Sequence, residues 1–158
     1  MRVRATAVIA DAPTRRNTTA RRAAEILVRK DLGYVVPTGK QKKNLAVAFV
    51  KRDMIVYGKA FDIVRLSVPV DLDHIEEIER HFDNVTLYEI KSTAKGASSN
   101  FEGHFFSLSG AEVLVSQSLK SQFKFVFVNI NTGDHLELSL SQMFARAKGI
   151  YPGWSIMF

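Results

Sequence analysis

The segment that decides the fold class of this chain is Val85-Thr86-Leu87-Tyr88-Glu89-Ile90-Lys91. The apolar residues Val85, Leu87 and Ile90 predict a β-strand over residues 85–91. Glu89 and Lys91 are two residues apart, so on a strand they face the same side at a spacing of about 7 Å. The strand therefore presents a carboxylate and an ammonium group side by side.

This pair has the chemistry that phosphodiester hydrolysis requires. A divalent cation stabilises charge on the scissile phosphate and lowers the pKa of the attacking water. Mg²⁺ prefers oxygen ligands and is often held by one or two carboxylates plus water and phosphate, while a neighbouring lysine can stabilise the transition state. Glu89 is therefore a candidate metal ligand and Lys91 a candidate catalytic cation. The same pair also occurs as a plain surface salt bridge at strand ends. Because Lys91 ends the predicted strand, we expect Lys91→Ala to leave the fold intact.

Helix and strand signals alternate around this strand. A helix begins at Thr18 or Thr19 and runs to Leu32, where Gly33 ends it. Ser109 with Glu112 three residues later predicts the capping box of a helix that runs to about Leu119. The remaining periodicity predicts helices over 72–82 and 141–147, an extended segment at 34–36, and strands over 45–50, 54–57, 61–70, 123–130 and 135–140. This order predicts an α/β fold, with a central mixed β-sheet flanked by helices.

Length and composition narrow the class of protein. The 158 residues suit one domain, with residues 1–17 as an N-terminal arm or an edge strand that is strand-like over 3–10. No apolar run reaches the roughly 18–20 residues that would span a membrane, and we expect no secretory signal. Cysteine is absent, which excludes disulfides, thiolate zinc sites and cysteine nucleophiles. This absence fits a cytoplasmic protein.

The charge of the chain favours a polyanionic partner. Lys and Arg number 22 against 16 Asp and Glu, which gives a net charge of +6. Nucleic acid is the commonest partner of such a surface, through counterion release. The first third of the chain is especially basic, and Lys40, Lys42 and Lys43 are predicted to lie in a turn that could contact phosphate. Lys95 lies in a flexible segment after the central strand, where it could contact a DNA backbone.

Four short segments share an arrangement with a known family: Arg21–Leu27, Gly33–Val36, Phe61–Val64 and Tyr88–Thr93. In this order they resemble the PD-(D/E)xK nuclease superfamily. Its core is a helix with a glutamate, a strand with an aspartate, and a strand that ends in Glu/Asp-x-Lys. The resemblance implies a restriction-endonuclease-like fold and a Mg²⁺-dependent DNA endonuclease in which Mn²⁺ may substitute.

The resemblance also implies roles for particular residues. It makes Asp62 and Glu89 the metal ligands, and it assigns catalytic roles to Asp62, Glu89, Lys91 and Glu25. Gln117 and Lys120 become auxiliary phosphate contacts on the helix after the central strand. Two departures concern the aspartate: Ala60-Phe61 replaces a frequent proline, and the gap from Asp62 to Glu89 is wide. An antiparallel pairing of Val70 with Val85 would still bring Asp62 to the level of Glu89, although Asp71, Asp73 and Asp83 remain alternatives.

Several functions stay open within this resemblance. The first is a restriction-type enzyme or subunit, and a Holliday junction resolvase or a repair nuclease is the alternative. A non-catalytic DNA-binding module of the same fold is another, whereas an RNA-binding role is disfavoured because no RNP-type aromatic motif is present. A specific DNA interface buries roughly 1,000 Å² or more, and one small domain must also contain the active site. We therefore expect a homodimer or a larger partner subunit.

Overall fold

A five-stranded mixed β-sheet forms the centre of the computed structural model, which describes residues 15–96, 100–151 and 153. Its strands are β1 (Tyr34–Val35), β2 (Ile63–Leu66), β3 (Val85–Thr93), β4 (Phe123–Asn129) and β5 (His135–Leu138). Helices flank the sheet, so the predicted α/β class with a mixed sheet is confirmed. The strand predicted over residues 3–10 lies outside the described residues.

The described residues form five α-helices and two short 3₁₀ helices between and beside the strands. The α-helices are α1 (Arg15–Arg29), α2 (Gly39–Val50), α3 (Ile75–Arg80), α4 (Gly110–Leu119) and α5 (Leu140–Arg146). The 3₁₀ helices, Phe82–Asn84 and Lys120–Gln122, lead directly into β3 and β4. The predicted helices over 72–82, 109–119 and 141–147 are confirmed in position. The first helix begins at Arg15, before the predicted Thr18 or Thr19.

The strands follow their order in the chain, from β1 at one edge to β5 at the other. The pairs β1–β2, β2–β3 and β4–β5 are antiparallel, whereas β3 and β4 are parallel. The parallel pair needs a crossover, which α4 provides.

Leu66 is paired with Val85, so the predicted pairing of Val70 with Val85 is wrong by four residues. The cause is that β2 is four residues long, not ten.

One glycine is required where β1 approaches β2. Gly33 has a φ of +85°, and a Cβ at this position would lie 2.2 Å from the carbonyl oxygen of Leu66. The Gly33 carbonyl accepts a hydrogen bond from the Leu66 N–H at 2.9 Å. Both the left-handed backbone and the close approach exclude a side chain here.

Helix α2 replaces the strand predicted over residues 45–50, and this prediction is wrong. Thr38 and Gln41 form a complete capping box at its start, a signal that stands in the sequence as Thr-x-x-Gln. Leu45, Ala48 and Phe49 are buried, at the i, i+3, i+4 spacing of a helix face. A short apolar run fits either periodicity, and here the cap and the burial of one helical face decide for the helix.

The strand predicted over residues 54–57 is also absent from the described structure. The Met54 N–H donates to the Phe49 carbonyl at 3.1 Å, as part of the turn that ends α2. Met54 and Val56 then pack against the core from an irregular segment. Their apolar character reflects this packing and not a place in the sheet.

The sheet separates two apolar cores. The first lies between the sheet and helices α2 and α4 and includes Leu45, Phe49, Leu87, Val115 and Phe125. The second lies between the sheet and α1 and includes Ala23, Leu27, Tyr88, Ile90 and Val126. Because side chains alternate along a strand, odd-numbered residues of β3 face α2 and α4, and even-numbered residues face α1.

Candidate active site

Glu89 and Lys91 lie in the second half of β3 and belong to the face that α2 and α4 cover. The Lys91 Nζ donates to Glu89 Oε1 at 3.1 Å. Only 12% of the Glu89 side chain and 10% of the Lys91 side chain are exposed. The strand continues to Thr93, so the expectation that Lys91 occupies an exposed strand end is wrong. Charged side chains are seldom buried in proteins. A buried ion pair therefore needs a functional or structural reason, whereas a surface pair does not.

Asp62 lies directly beside this pair. Its N–H donates to the Tyr88 carbonyl at 2.8 Å, and its Oδ2 accepts a hydrogen bond from the Ile90 N–H at 3.0 Å. These contacts arise because Ile63 pairs with Tyr88 in the antiparallel β2–β3 ladder. The structure thus brings Asp62 to Glu89 and Lys91, despite the error in the predicted register.

The carboxylates of Asp62 and Glu89 interact electrostatically. Burial, and next the negative charge of Asp62, raise the pKa of Glu89 to about 8, while the Lys91 ammonium opposes this shift. The negative charge of Glu112 also raises the pKa of Glu89, by less than the charge of Asp62 does. Such a shift marks a carboxyl group that lacks enough positive charge around it. Burial and the charge of Asp62 therefore favour the protonated form of Glu89, and a cation bound beside it would favour the ionised form.

Glu112 is a member of this cluster that the sequence reasoning missed. Its Oε2 accepts a hydrogen bond from the Lys91 Nζ at 2.8 Å, and its side chain is 11% exposed. The same oxygen accepts the Ser109 N–H at 3.1 Å, which completes the predicted capping box of α4. Lys91 is therefore held between two carboxylates, one on β3 and one at the start of α4.

A signal for Glu112 was present in the chain. A helix that links two parallel strands begins at the end of the sheet where the first strand stops. The capping box places Glu112 in the first turn of α4, and the parallel pairing of β3 with β4 places that turn beside the end of β3. The capping box identifies Glu112 from the sequence. Its approach to Lys91 depends on the parallel pairing of β3 with β4, which the sequence does not specify.

The cluster of Asp62, Glu89, Glu112 and Lys91 contains three carboxyl groups that could bind a divalent cation. Among the described residues, no group of three or more His, Asp or Glu side chains is arranged to hold a metal ion. Mg²⁺ often takes only one or two carboxylates, with water and phosphate as its other ligands. Within residues 15–96 and 100–151, Asp62 Oδ1 and Glu89 Oε2 accept no hydrogen bond. Two carboxylate oxygens without a partner among the described residues are the kind of donor that Mg²⁺ and Mn²⁺ take.

The structure does not bring Glu25 to this cluster. Glu25 lies on α1, which covers the opposite face of the sheet from Glu89 and Lys91. Its carboxylate is exposed and pairs with Arg21 at 3.2 Å. A helix on the other face cannot contribute a ligand through the sheet, so the catalytic role implied for Glu25 has no geometric support.

The alternative aspartates lie at the other end of the β2–β3 pair. Asp71 and Asp73 follow the end of β2, and Asp71 accepts the Asp73 N–H at 2.9 Å within their own turn. Asp83 lies in the 3₁₀ helix two residues before β3, and the four strand steps from Val85 to Glu89 alone span about 13 Å. Of the four aspartates considered, Asp62 is the one that contacts the Glu89–Lys91 strand.

The lysines expected in a phosphate-binding turn lie instead on α2, so that part of the prediction is wrong. Lys40 pairs with Asp73 at 3.4 Å, and Lys43 is exposed on the helix. Lys42 comes nearest to the cluster, because its Nζ donates to the Phe61 carbonyl at 2.8 Å, next to Asp62. The capping box at Thr38 starts a helix in this segment, and on this helix the three lysine side chains lie apart.

The other predicted DNA contacts fall at two different places. Gln117 and Lys120 are exposed at the far end of α4, and eight residues of helix place Lys120 about 12 Å from Glu112. The structure does not bring these two to the cluster. Lys95 lies two residues beyond β3 and lines a cavity beside the end of that strand.

Comparisons of the chain with family models, with curated proteins and with solved structures found no match. The site therefore has to be judged on its own geometry. None of the helices described in residues 15–96 and 100–151 is both long and apolar enough to cross a membrane.

Proposed function

We propose that this protein is a Mg²⁺-dependent DNA endonuclease of the restriction-endonuclease-like fold, a restriction-type enzyme or a subunit of one. Mn²⁺ would substitute for Mg²⁺. The single observation that carries the proposal is the convergence of Asp62, Glu89 and Lys91 across the β2–β3 ladder. The order of a helix, a strand directly preceded by an aspartate, and a Glu-x-Lys strand, with a parallel strand after it, supports the same fold.

Each residue of the cluster has a distinct task in this proposal. Asp62 and Glu89 would hold the metal through the carboxylate oxygens that no described group occupies. When bound there, the cation supplies charge stabilisation at the phosphate and a lower pKa for the attacking water. Lys91 presents its ammonium to the negative charge that develops on the phosphate. Glu112 and Glu89 hold that ammonium in place from two sides.

The partner implied by this proposal is DNA. The net charge of +6 favours a polyanion, and Lys42 and Lys95 lie near the two sides of the cluster. A homodimer or a larger partner subunit would supply the remaining recognition surface. A junction resolvase or a repair nuclease would use the same cluster on a different DNA structure. The lack of cysteine fits a cytoplasmic enzyme of this kind.

A second candidate is a non-catalytic DNA-binding module of the same fold. The observation that favours it is the enclosure of Lys91 by two carboxylates, since a buried ion pair can serve the fold alone. In that case the basic surface would still bind DNA but no metal-dependent cleavage would follow.

Incubation with supercoiled plasmid and with a four-way junction, in Mg²⁺ or in EDTA, separates the two candidates. We expect cleavage in Mg²⁺ only, with loss of cleavage and retention of binding in Glu89→Ala. Lys51→Ala is a matched control, because Lys51 forms an exposed pair with Glu79 at 2.7 Å. Binding without cleavage by the wild type, in both Mg²⁺ and Mn²⁺, would establish the module instead.

A further inference from the structure

A cavity adjoins the candidate active site at the end of β3. Its volume is about 270 Å³, and it is lined by Ser92, Thr93, Lys95, Gly103, His104, Phe105 and Phe106. Thr93 lies two residues beyond Lys91 on the same strand, so both side chains face the same side about 7 Å apart. A group bound in this cavity would therefore lie next to the Asp62, Glu89 and Lys91 cluster.

The wall of this cavity carries an aromatic ring that the core does not use. Phe101 is buried, and Phe106 packs edge-on against Phe127 with ring centroids 4.7 Å apart. These two residues fix the segment to the core, whereas the Phe105 side chain between them is 78% exposed. An exposed phenyl group on an anchored segment offers a fixed ring face to a partner.

A second exposed ring lies beside Phe105. The centroid of Tyr151, which is 77% exposed, is 6.5 Å from that of Phe105. Two contacts tie the chain before Tyr151 to the cavity segment: Lys148 pairs with Glu102 at 2.8 Å, and Arg146 donates to the Asn100 carbonyl at 3.0 Å. The two rings are inclined to each other by 40°. Phe105 lines the cavity and Tyr151 lies next to it, and this pair of exposed rings is here called the aromatic platform.

The cavity also offers a cation without a counter-charge. No carboxylate in the described part of the chain lies within ion-pair distance of the Lys95 ammonium. An exposed aromatic ring face near an unpaired lysine fits a nucleotide, with the base on the ring and the phosphate at the lysine. A purely apolar partner would make no use of Lys95.

We infer that the aromatic platform of Phe105 and Tyr151 stacks unpaired DNA bases, with Lys95 contacting the adjoining phosphate. The inference rests on the proposed nuclease function and narrows its substrate to DNA with a single-stranded segment, such as a flap or a gap. Bases inside a duplex are stacked on one another and present no free face to a side chain. A single strand offers a base face at every nucleotide.

The test is fluorescence anisotropy in EDTA with a short oligothymidylate and with a blunt-ended duplex of equal length. Loss of one stacked base weakens binding by about tenfold or more. We therefore expect Phe105→Ala to bind the oligothymidylate about tenfold more weakly than the wild type, Phe105→Trp to restore the affinity, and neither to change duplex binding. Val50→Ala, at an exposed apolar position at the end of α2, is the control and should behave like the wild type.

The outcomes separate this inference from the proposed function. Equal oligothymidylate affinity in Phe105→Ala and the wild type would overturn the aromatic platform, and plasmid cleavage in Mg²⁺ would then leave the nuclease proposal standing. Weakened binding that Phe105→Trp restores, in a protein that cuts no DNA with Mg²⁺ or Mn²⁺, would support the platform and overturn the nuclease. An equal loss of duplex and oligothymidylate binding in Phe105→Ala would also overturn the platform, because stacking on free bases requires a difference.

Discussion

The Asp62 carboxylate accepts a hydrogen bond from the Ile90 N–H at 3.0 Å, and Ile90 is the residue between Glu89 and Lys91. This bond ties the aspartate just before β2 to the Glu-x-Lys backbone of β3. It fixes Asp62 Oδ2 and leaves Oδ1 without a partner among the described residues. A carboxylate held in this way can contribute one oxygen to a cation without a change in its position.

The first prediction concerns Asp62→Asn. The side-chain carbonyl of asparagine can still accept the Ile90 N–H, so the fold should be kept while the charge is lost. The negative charge of Asp62 disfavours the ionised form of Glu89, and removal of that charge ends this repulsion. We expect weaker Mg²⁺ and Mn²⁺ binding, no cleavage, and an apoprotein as stable as the wild type or slightly more so. Calorimetric metal titration and melting curves check these expectations. Wild-type metal binding and cleavage would show that the metal aspartate is elsewhere.

The second prediction concerns Lys91→Ala. Because Lys91 is buried between Glu89 and Glu112, its removal should abolish cleavage and also lower the free energy of unfolding by about 3 kcal/mol. Urea denaturation and plasmid cleavage measure the two effects. Lys51→Ala, which breaks an exposed pair, should change the stability by less than about 1 kcal/mol.

A variant that keeps more of the fold separates catalysis from stability at this position. Lys91→Gln retains a hydrogen-bond donor toward the two carboxylates but lacks the positive charge. We expect it to be folded at the assay temperature and still inactive. Cleavage at the wild-type rate by a folded Lys91→Gln protein would remove Lys91 from the mechanism.

The third prediction concerns Glu112→Gln. Glutamine also completes a capping box, so the helix start should survive and the stability should fall by about 1 kcal/mol or less. The Lys91 ammonium loses one of its two carboxylate partners, and we expect kcat to fall by about tenfold or more with KM unchanged. Steady-state kinetics with denaturation curves test this. A loss of activity that merely follows a loss of folded protein would assign Glu112 to the fold alone.

The fourth prediction concerns pH. The folded pKa of Glu89 is about 8, above its ordinary value of 4.5. Between these values the native state binds a proton that the unfolded state has released, so the stability of the apoprotein should fall as the pH rises through this window. Glu89→Gln has no such proton and should remove this decline. Urea denaturation at several pH values in EDTA measures the difference, which should grow with pH up to about 8.

The same proton should oppose metal binding. Because the cation takes the place of the Glu89 proton, the affinity for Mn²⁺ should rise with pH until about 8 and then level off. Titrations of the wild type across this range provide the measurement. An affinity that does not change between about pH 5 and 8 would mean that Glu89 is not a metal ligand.

The fifth prediction concerns salt. Several Lys and Arg contacts to phosphate release counterions, so DNA binding should weaken steeply between about 50 and 200 mM salt. Anisotropy titrations across this range give the slope of the logarithm of affinity against that of salt. Lys42→Ala and Lys95→Ala should each lower the slope by about one. A flat response would remove the basis for a DNA-binding surface.

Short-range signals in the sequence were enough for most elements around the site. The apolar pattern of residues 85–91 specifies β3, and the Ser109 and Glu112 pair specifies the start of α4, because both signals lie within a few neighbouring residues. The Glu89 and Lys91 side chains share a face through the two-residue period of a strand alone. The same kind of local signal at Thr38 and Gln41 would have identified α2.

Only the tertiary structure decided which side chains meet. The pairing of Ile63 with Tyr88 brings Asp62 to Glu89, and the crossover through α4 brings Glu112 to Lys91. The covering of the opposite face by α1 separates Glu25 from both. Each of these outcomes depends on strand register, on the direction of pairing, or on which face a helix covers. Register, pairing direction and helix placement are set by how residues far apart in the chain pack into the two cores. No local sequence pattern therefore specifies them.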